Sequence, residues 1–341
     1  MTLRVLHLAG SAVSDFFCDL SRLYAADCLA ATGDPDRYEF HVAYVTPDGR
    51  WRFPVDLGDA AIDAAAPMPV AEAVARIVDL DIDVMVPQMF CVPGMTSYRA
   101  LFDVLGIPYV GNPADVMALT AHKGRARAVV AAHGVAVPAG QLVSRGEQPD
   151  VRLPCVVKPV DADNSVGVSL VRRPEQLGRA LNRAFEHSDA VLVETYVEAG
   201  REVRCGIVES GDELVCLPLE EYRLDADQPI RQGADKLARR DDGQLQLMAK
   251  SAQVAWIVDA TDPVVDAVQK AARRCHVALG CRDYSLTDFR INPDGRPWFL
   301  EAGLYNSFAE TSVVPTMARA AGISTAGLFN ELVERAAGRR R

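Results

Sequence analysis

The sequence predicts an α/β protein in which an N-terminal parallel sheet is followed by a mixed α+β region. Three observations predict this class. In the first third, short apolar runs alternate with amphipathic segments of helical length, the pattern of a parallel sheet covered on both faces. In the last third, apolar runs follow one another across turn signals, the pattern of antiparallel strands. The 341 residues, 49% hydrophobic and 24% charged, exclude a disordered chain and suffice for two or three cores at ~150 residues per domain.

The elements follow in order. Residues 3–8 read as a buried strand, because Arg4 with Val5-Leu-His-Leu-Ala9 is too short for a signal peptide. A helix over 15–31 and a strand over 40–45 follow. The next helix, 70–80, sets Val70, Val74, Ile77 and Val78 on one face. A strand over 84–87 and a helix over 98–105 lead to Gly106-Ile-Pro-Tyr-Val-Gly111, which closes this unit as a short strand. A helix over 120–133 ends at Gly134. Strands are expected over 153–159 and 168–172. Pro174 then opens a helix whose Leu177, Leu181 and Phe185 recur at four-residue steps, before a strand over 190–197. Strands over 202–208 and 214–222 precede a polar surface loop, 225–243. Asp262 caps a helix that has Pro263 at its first position, Val264, Val268, Ala272 and Cys275 inward, and Gly280 at its end. Two strands and a last helix over 328–337 complete the chain.

Composition excludes several functions. Lys+Arg 36 against Asp+Glu 46 gives a net charge of −10, which argues against broad nucleic-acid or anionic-membrane binding but allows a local basic pocket. No run approaches the ~20 apolar residues of a membrane span. The eight cysteines form no C-x-x-C pair, and most sit in apolar runs, as expected of a reduced cytoplasmic protein. The six histidines lack zinc spacing. No Ser/His/Asp or Cys/His nucleophile arrangement stands out.

Three local features carry chemistry. Asp294-Gly295 is a hairpin turn, and folding the flanking strands about it sets Asp288 opposite Glu301. Their Cβ atoms would lie roughly 5 Å apart, a repulsive pairing unless a cation sits between them. Two such carboxylates suit Mg²⁺, which takes oxygen ligands and substrate phosphates; an ordinary exposed pair is the other reading. Lysine is rare (123, 158, 236, 250 and 270), and Lys158 ends the apolar strand Cys155-Val-Val-Lys158. It suits a phosphate as a compact charge, or simply reaches water. The connection Asp161-Ala-Asp-Asn-Ser-Val-Gly-Val168 either presents N–H groups to phosphate oxygens or is a plain hairpin loop.

These features come in one order with Gly106–Gly111, His122-Lys123, Val156-Val-Lys-Pro159, Val191-Leu-Val-Glu194, Gly200-Arg-Glu202, Gly280-Cys281, Asp288-Phe289 and Glu301. The ordered set resembles the ATP-grasp superfamily, nearest its D-alanine–D-alanine ligase branch. The resemblance implies an N-terminal Rossmann-like, pre-ATP-grasp domain over 1–112. A central ATP-grasp lobe over 113–198 and a C-terminal lobe over 199–341 would then enclose ATP and Mg²⁺. By the same resemblance, Lys123 and Lys158 bind phosphate, Glu194, Tyr196 and Val197 hold adenine, and Glu202 holds ribose. Asn164, Ser165, Val166 and Gly167 form a flap, and Lys236 reaches the transferred phosphate. Asp288 and Glu301 bind metal. Asp19 and Ser21 receive the first substrate, and Tyr305 and Ser307 lie where the second binds. A homodimer is also implied.

The chain departs from the branch at paired positions. An Arg usually stands two residues before the Asp, and here it is Leu286; an Asn usually stands two residues after the Glu, and here it is Gly303. Leu286 and Gly303 face each other in the expected hairpin. Asn306 is then the candidate third metal ligand, and Arg290 or Arg231 the candidate source of the missing charge. The expected activity is an ATP-dependent carboxylate–amine ligase joining two amino acids through an acylphosphate, as a dipeptide or γ-glutamyl-type amide in natural-product biosynthesis. D-alanine–D-alanine ligation for the cell wall and nucleotide binding without catalysis are the alternatives.

Overall fold

The computed structural model describes residues 2–162, 165–198, 200–224, 229–230, 237–239, 245–247 and 253–340. The N-terminal unit runs β1 (Leu3–Gly10), α1 (Asp15–Thr32), β2 (Tyr38–Val45), β3 (Trp51–Arg52), α2 (Asp59–Ala64), α3 (Val70–Asp79), β4 (Val84–Pro87), α4 (Val92–Met95) and α5 (Ser97–Leu105). Its sheet has the order β3-β2-β1-β4, with β2 and β4 parallel to β1. β1 is central because Val5, Leu6, Leu8 and Ala9 are all buried, on both faces. Gly10 ends it at φ +89°, where a Cβ would lie 2.0 Å from the Val45 carbonyl oxygen, so only glycine lets the chain turn there. The expected strand within 106–111 is reduced to one bridge, Met85 to Tyr109.

Two helices follow, α6 (Ala114–Ala121) and α7 (Lys123–Ala132). The single helix expected over 120–133 is therefore interrupted at His122, whose side chain accepts from Arg125 N and caps α7. The next sheet contains β5 (Gly140–Ser144), β6 (Cys155–Pro159), β7 (Ser169–Val171) and, after α8 (Leu177–Phe185), β8 (Ala190–Thr195); its order is β5-β8-β6-β7.

The largest sheet is built from β9 (Arg201–Ser210), β10 (Glu213–Cys216), β11 (Glu220–Tyr222), β14 (Ala255–Ile257), β15 (Tyr284–Ile291) and β16 (Pro297–Ala302). β12 (Leu237–Arg239) and β13 (Leu245–Leu247) form a separate ribbon within and beyond the segment expected to be loop. The strand expected over 214–222 divides, because Leu217 and Leu219 turn into the core between β10 and β11. α9 (Val264–Leu279) backs this sheet, capped by Asp262 Oδ1 accepting from Val264 N at 3.0 Å and closed by Gly280 in the left-handed region. α10 (Val313–Ala320) and α11 (Thr325–Ala337) end the fold.

Packing cuts across the boundaries suggested by chain order. Ala126, Val130 and Val135, expected with the central lobe, share a core with Val203, Val268 and Phe299 of the largest sheet. Phe329, Leu332 and Val333 of α11 pack on Val5, Val84 and Val86 of the N-terminal sheet. Asp283, fully buried, accepts from Gly111 N at 2.6 Å and from Arg339 at 2.6 Å. These contacts clamp the N-terminal unit onto the largest sheet and leave the second sheet to face it across a cleft.

Candidate active site

The cleft floor is one face of the largest sheet, and cross-strand register decides what lies on it. Glu202 of β9 pairs with Arg290 of β15, Arg204 with Asp288, and Asp288 with Glu301 of β16. Residues directly opposite share a face, so Arg204, Asp288 and Glu301 form one row across three strands, with Glu202 and Arg290 paired in the next row. The hairpin reaches this arrangement by an unexpected route. Near the turn, Ile291 pairs with Pro297 and Phe289 with Phe299, one residue out of step with a two-residue turn. A bulge between Asp288 and Phe289 removes the offset and restores Asp288 opposite Glu301.

Each of the four acidic side chains at the cleft has a basic partner. Lys158 Nζ lies 2.6 Å from Glu194 Oε1, and Lys123 Nζ lies 3.4 Å from Glu301 Oε2. Arg290 donates to Glu202 Oε2 at 3.0 Å and to the Tyr196 hydroxyl at 2.7 Å. Arg204 donates to Asp288 Oδ2 through Nε at 2.9 Å, with its NH2 at 2.8 Å from the same oxygen. Burial opposes the charge on Arg204, but Asp288, Tyr222 and Glu220 outweigh it and hold its pKa above the ordinary value.

Both lysines are positioned by backbone. Lys123 opens α7, its N–H bonding to Val160 O at 2.7 Å and its Nζ to Ala162 O at 2.5 Å. Lys158 is the next-to-last residue of β6, with its Nζ 3.4 Å from Leu300 O, across the cleft on β16. A cavity of about 110 Å³ lies among Lys123, Lys158, Glu194, Glu202, Asp288 and Glu301. Ser165, Tyr196, Val197 and Arg290 also line it. It adjoins a groove of about 790 Å³ beside Tyr196, Val197, Gln141 and Trp298. Gly167, at φ +73°, leaves room for Pro159 and His187, which a Cβ would approach to 2.7 and 2.9 Å. Val166 beside it is 45% exposed, as a cover over the cleft would be.

The expected residues thus divide. Lys123, Lys158, Ser165, Glu194, Tyr196, Val197, Glu202, Asp288, Arg290 and Glu301 come together around one cavity. Arg290 serves Glu202 and Tyr196 rather than the two facing carboxylates, because it lies two residues along β15 from Asp288. Asn164, Arg231 and Lys236 lie outside the described residues. Asp19, Ser21, Tyr305, Asn306 and Ser307 do not line this cavity. Ser21 is fully buried, accepting from Gly10 N and donating to Gln88 O, each at 2.7 Å, so its hydroxyl ties α1 to the sheet. Asp19 is half exposed beside Arg22. The Tyr305 ring lies 5.8 Å from Phe90, and Ser307 accepts from Ala309 N. Asn306 is buried with its Nδ2 unpartnered. Among the described residues, no group of three or more His, Cys, Asp or Glu side chains is arranged to hold a metal ion. Two facing carboxylates beside two lysines nevertheless fit a nucleotide–Mg²⁺ pair, whose cation is completed by phosphate oxygens.

Arg204 is the residue that sequence reasoning missed. Its signal was a lone arginine inside the apolar run Val203 to Val208, two residues from Glu202 and so on the same face.

A cleft between two sheets, with Lys158 on one wall, the paired carboxylates on the other and Lys123 at the start of α7 beside them, defines a nucleotide-dependent ligase of the ATP-grasp class. Comparison with known proteins agrees. The family described as "D-ala D-ala ligase C-terminus" matches residues 139–334. The D-alanine–D-alanine ligase of Trichlorobacter lovleyi is 32% identical over 248 residues, 70% of this chain and 72% of that protein. Vancomycin B-type resistance protein VanB of Enterococcus faecalis is 28% identical over 243 residues, 70% of this chain and 68% of its own. Among solved structures, the VanG D-Ala:D-Ser ligase from Enterococcus faecalis superposes with a TM-score of 0.80 at 22% identity, covering 98% of this chain and 99% of the other. The chain belongs to the D-alanine–D-alanine ligase family. It is an ATP- and Mg²⁺-dependent ligase that forms a carbon–nitrogen bond. No described helix is long and apolar enough to cross a membrane.

Proposed function

We propose that the protein joins D-alanine to a second D-alanine. The observation that carries this reading is the 32% identity to a D-alanine–D-alanine ligase over 72% of that relative's length. It favours the narrower alternative over the broader expectation of an amino-acid ligase with unrelated substrates.

The chemistry follows from the site. A carboxylate at neutral pH is a poor electrophile, so one carboxylate oxygen of the first substrate takes the γ-phosphoryl group of ATP. The amine of the second substrate attacks the resulting acylphosphate, and amide and phosphate leave alongside ADP. Such a reaction needs phosphate charge neutralised and reactants aligned more than it needs a protein nucleophile. Lys123 and Lys158 neutralise phosphate, Asp288 and Glu301 hold Mg²⁺, and Glu202 receives ribose with Arg290 and Tyr196 fixing its position. The backbone at Glu194–Val197 receives adenine, and Ser165–Gly167 cover the phosphates and exclude water.

The test is ADP release with D-alanine alone against a panel of other amino acids, with the product identified by mass spectrometry. D-alanyl-D-alanine formation is expected; turnover only with other amino acids contradicts the reading. A second reading, with a different second substrate, is favoured by Leu286, Gly303 and the segment Tyr305-Asn-Ser-Phe308. It predicts D-alanine turnover only when another amine acceptor is added.

A further inference from the structure

Asp288 and Glu301 face each other across β15 and β16, and each has a basic side chain beside it. Arg204 holds Asp288 and Lys123 holds Glu301. The two basic residues differ in how firmly they are fixed. Lys123 meets Glu301 through one ammonium at 3.4 Å, which also donates to Ala162 O at 2.5 Å. Arg204 is 6% exposed and anchored from the strands on both sides of its own: its Nε and NH2 meet Asp288 on β15, and its NH1 donates to the Tyr222 hydroxyl on β11 at 3.1 Å. That hydroxyl donates to Glu220 at 2.6 Å, and the guanidinium carbon sits 5.1 Å from the centre of the Tyr222 ring. Arg204 therefore cannot swing away from Asp288 without breaking a buried network. The positive charge absent at Leu286 sits one strand over, since Leu286 pairs with Gly206 and Arg204 with Asp288 on the same sheet face.

We propose that Arg204 is a positioning residue that withholds Asp288 from a free divalent cation, so that metal enters the site only together with the nucleotide. The inference rests on Asp288 being a metal ligand. A cation arriving alone would add charge to a buried carboxylate that is already compensated, which is unfavourable in a poorly solvated site. A triphosphate arriving with the cation brings the negative charge that both the metal and Arg204 need. The carboxylate then keeps the orientation Arg204 imposes while its lone pairs turn to the metal.

The test is Mn²⁺ binding followed by electron paramagnetic resonance, with and without the non-hydrolysable analogue adenylyl imidodiphosphate, beside steady-state kinetics with Mg·ATP. For the wild-type protein the analogue is expected to tighten Mn²⁺ binding about 10- to 100-fold, within the usual range of coupling between sites. Arg204→Gln keeps a hydrogen bond to Asp288 but removes the charge. It is expected to bind free Mn²⁺ about tenfold more tightly, reduce the coupling by the same factor and lower kcat while KM for ATP changes less than about threefold. A purely structural arginine would not tighten metal binding. Equal Mn²⁺ affinity with and without analogue in the wild type, or unchanged coupling in folded Arg204→Gln, overturns the proposal. If the glutamine variant does not fold, Arg204→Lys decides: it keeps the charge, so wild-type coupling is expected and its loss is contrary. Asp288→Asn separates the two readings. Retained Mn²⁺ binding there removes Asp288 as a ligand, whereas lost binding with unchanged Arg204→Gln coupling defeats the arginine proposal alone.

Discussion

Lys158→Met removes a charge while keeping a side chain of similar length, and the structure gives both consequences. Lys158 and Glu194 are 9% and 4% exposed at the side chain and 2.6 Å apart, so Glu194 loses its close partner. Removing one member of a buried pair costs about 3–5 kcal/mol. Arg127 Nε stays 3.9 Å from the same carboxylate, which places the loss near the lower end, about 3 kcal/mol. The effect on turnover is separate. If the ammonium neutralises phosphate during transfer, kcat/KM falls about 10²- to 10³-fold, the scale for one preorganised electrostatic contact. Lys158→Met/Glu194→Gln distinguishes the two, because removing both charges leaves no buried ion without a partner. Its stability, from denaturant melts, should return to within about 1 kcal/mol of the wild type, while its coupled-assay ADP release stays at the single variant's level. Recovery of activity along with stability would refute a phosphate-binding role and leave Lys158 as a partner for Glu194 only.

Three further outcomes follow from the same structure. Ser21→Ala leaves the Gly10 N–H and Gln88 C=O buried without a partner, so the unfolding free energy from denaturant melts should fall by about 1–3 kcal/mol while KM for the amino-acid substrate changes little. A large KM rise at unchanged stability would instead make Ser21 a substrate contact. Gly167→Ala forces a Cβ to within 2.9 Å of Pro159 and His187 at φ +73°; KM for ATP should rise and limited proteolysis at the flap accelerate, and wild-type values for both would contradict a built cover. His7 is fully buried, and burial lowers its pKa from 6.5 to about 3. Because the folded value lies below the unfolded one, its contribution is complete above the unfolded pKa. It is lost as pH falls from 6.5 toward 3, by about 1.4 kcal/mol per pH unit. His7→Leu should flatten that part of the stability profile between pH 6.5 and 5, and an unchanged slope would be contrary.

Much of the fold was legible because the N-terminal sheet is periodic and fully buried. The strand at 84–87 and the helix starts near 15 and 70 follow directly from apolar spacing. The break at His122 was not legible: the apolar pattern runs through it, and only the cap to Arg125 N divides the helix. Nor was the grouping of α6, α7 and α11, since chain order says nothing of which sheet a helix covers. The facing of Asp288 and Glu301 was read correctly from the turn, although the real register is offset at the turn and restored by a bulge that leaves no mark in the residue types. Arg290 was, with Arg231, a candidate source of the charge missing at Leu286. Register along β9, which sets Glu202 opposite Arg290, was the missing information. The same register brings Arg204 to Asp288.

The central claim is that the cleft transfers phosphate to a substrate carboxylate before the amide forms. Isotope transfer tests it most directly: D-alanine labelled with ¹⁸O in both carboxylate oxygens is turned over with Mg·ATP, and the released phosphate is analysed by mass spectrometry. The account predicts that phosphate carries one ¹⁸O per molecule of dipeptide formed. Unlabelled phosphate released alongside dipeptide would contradict it.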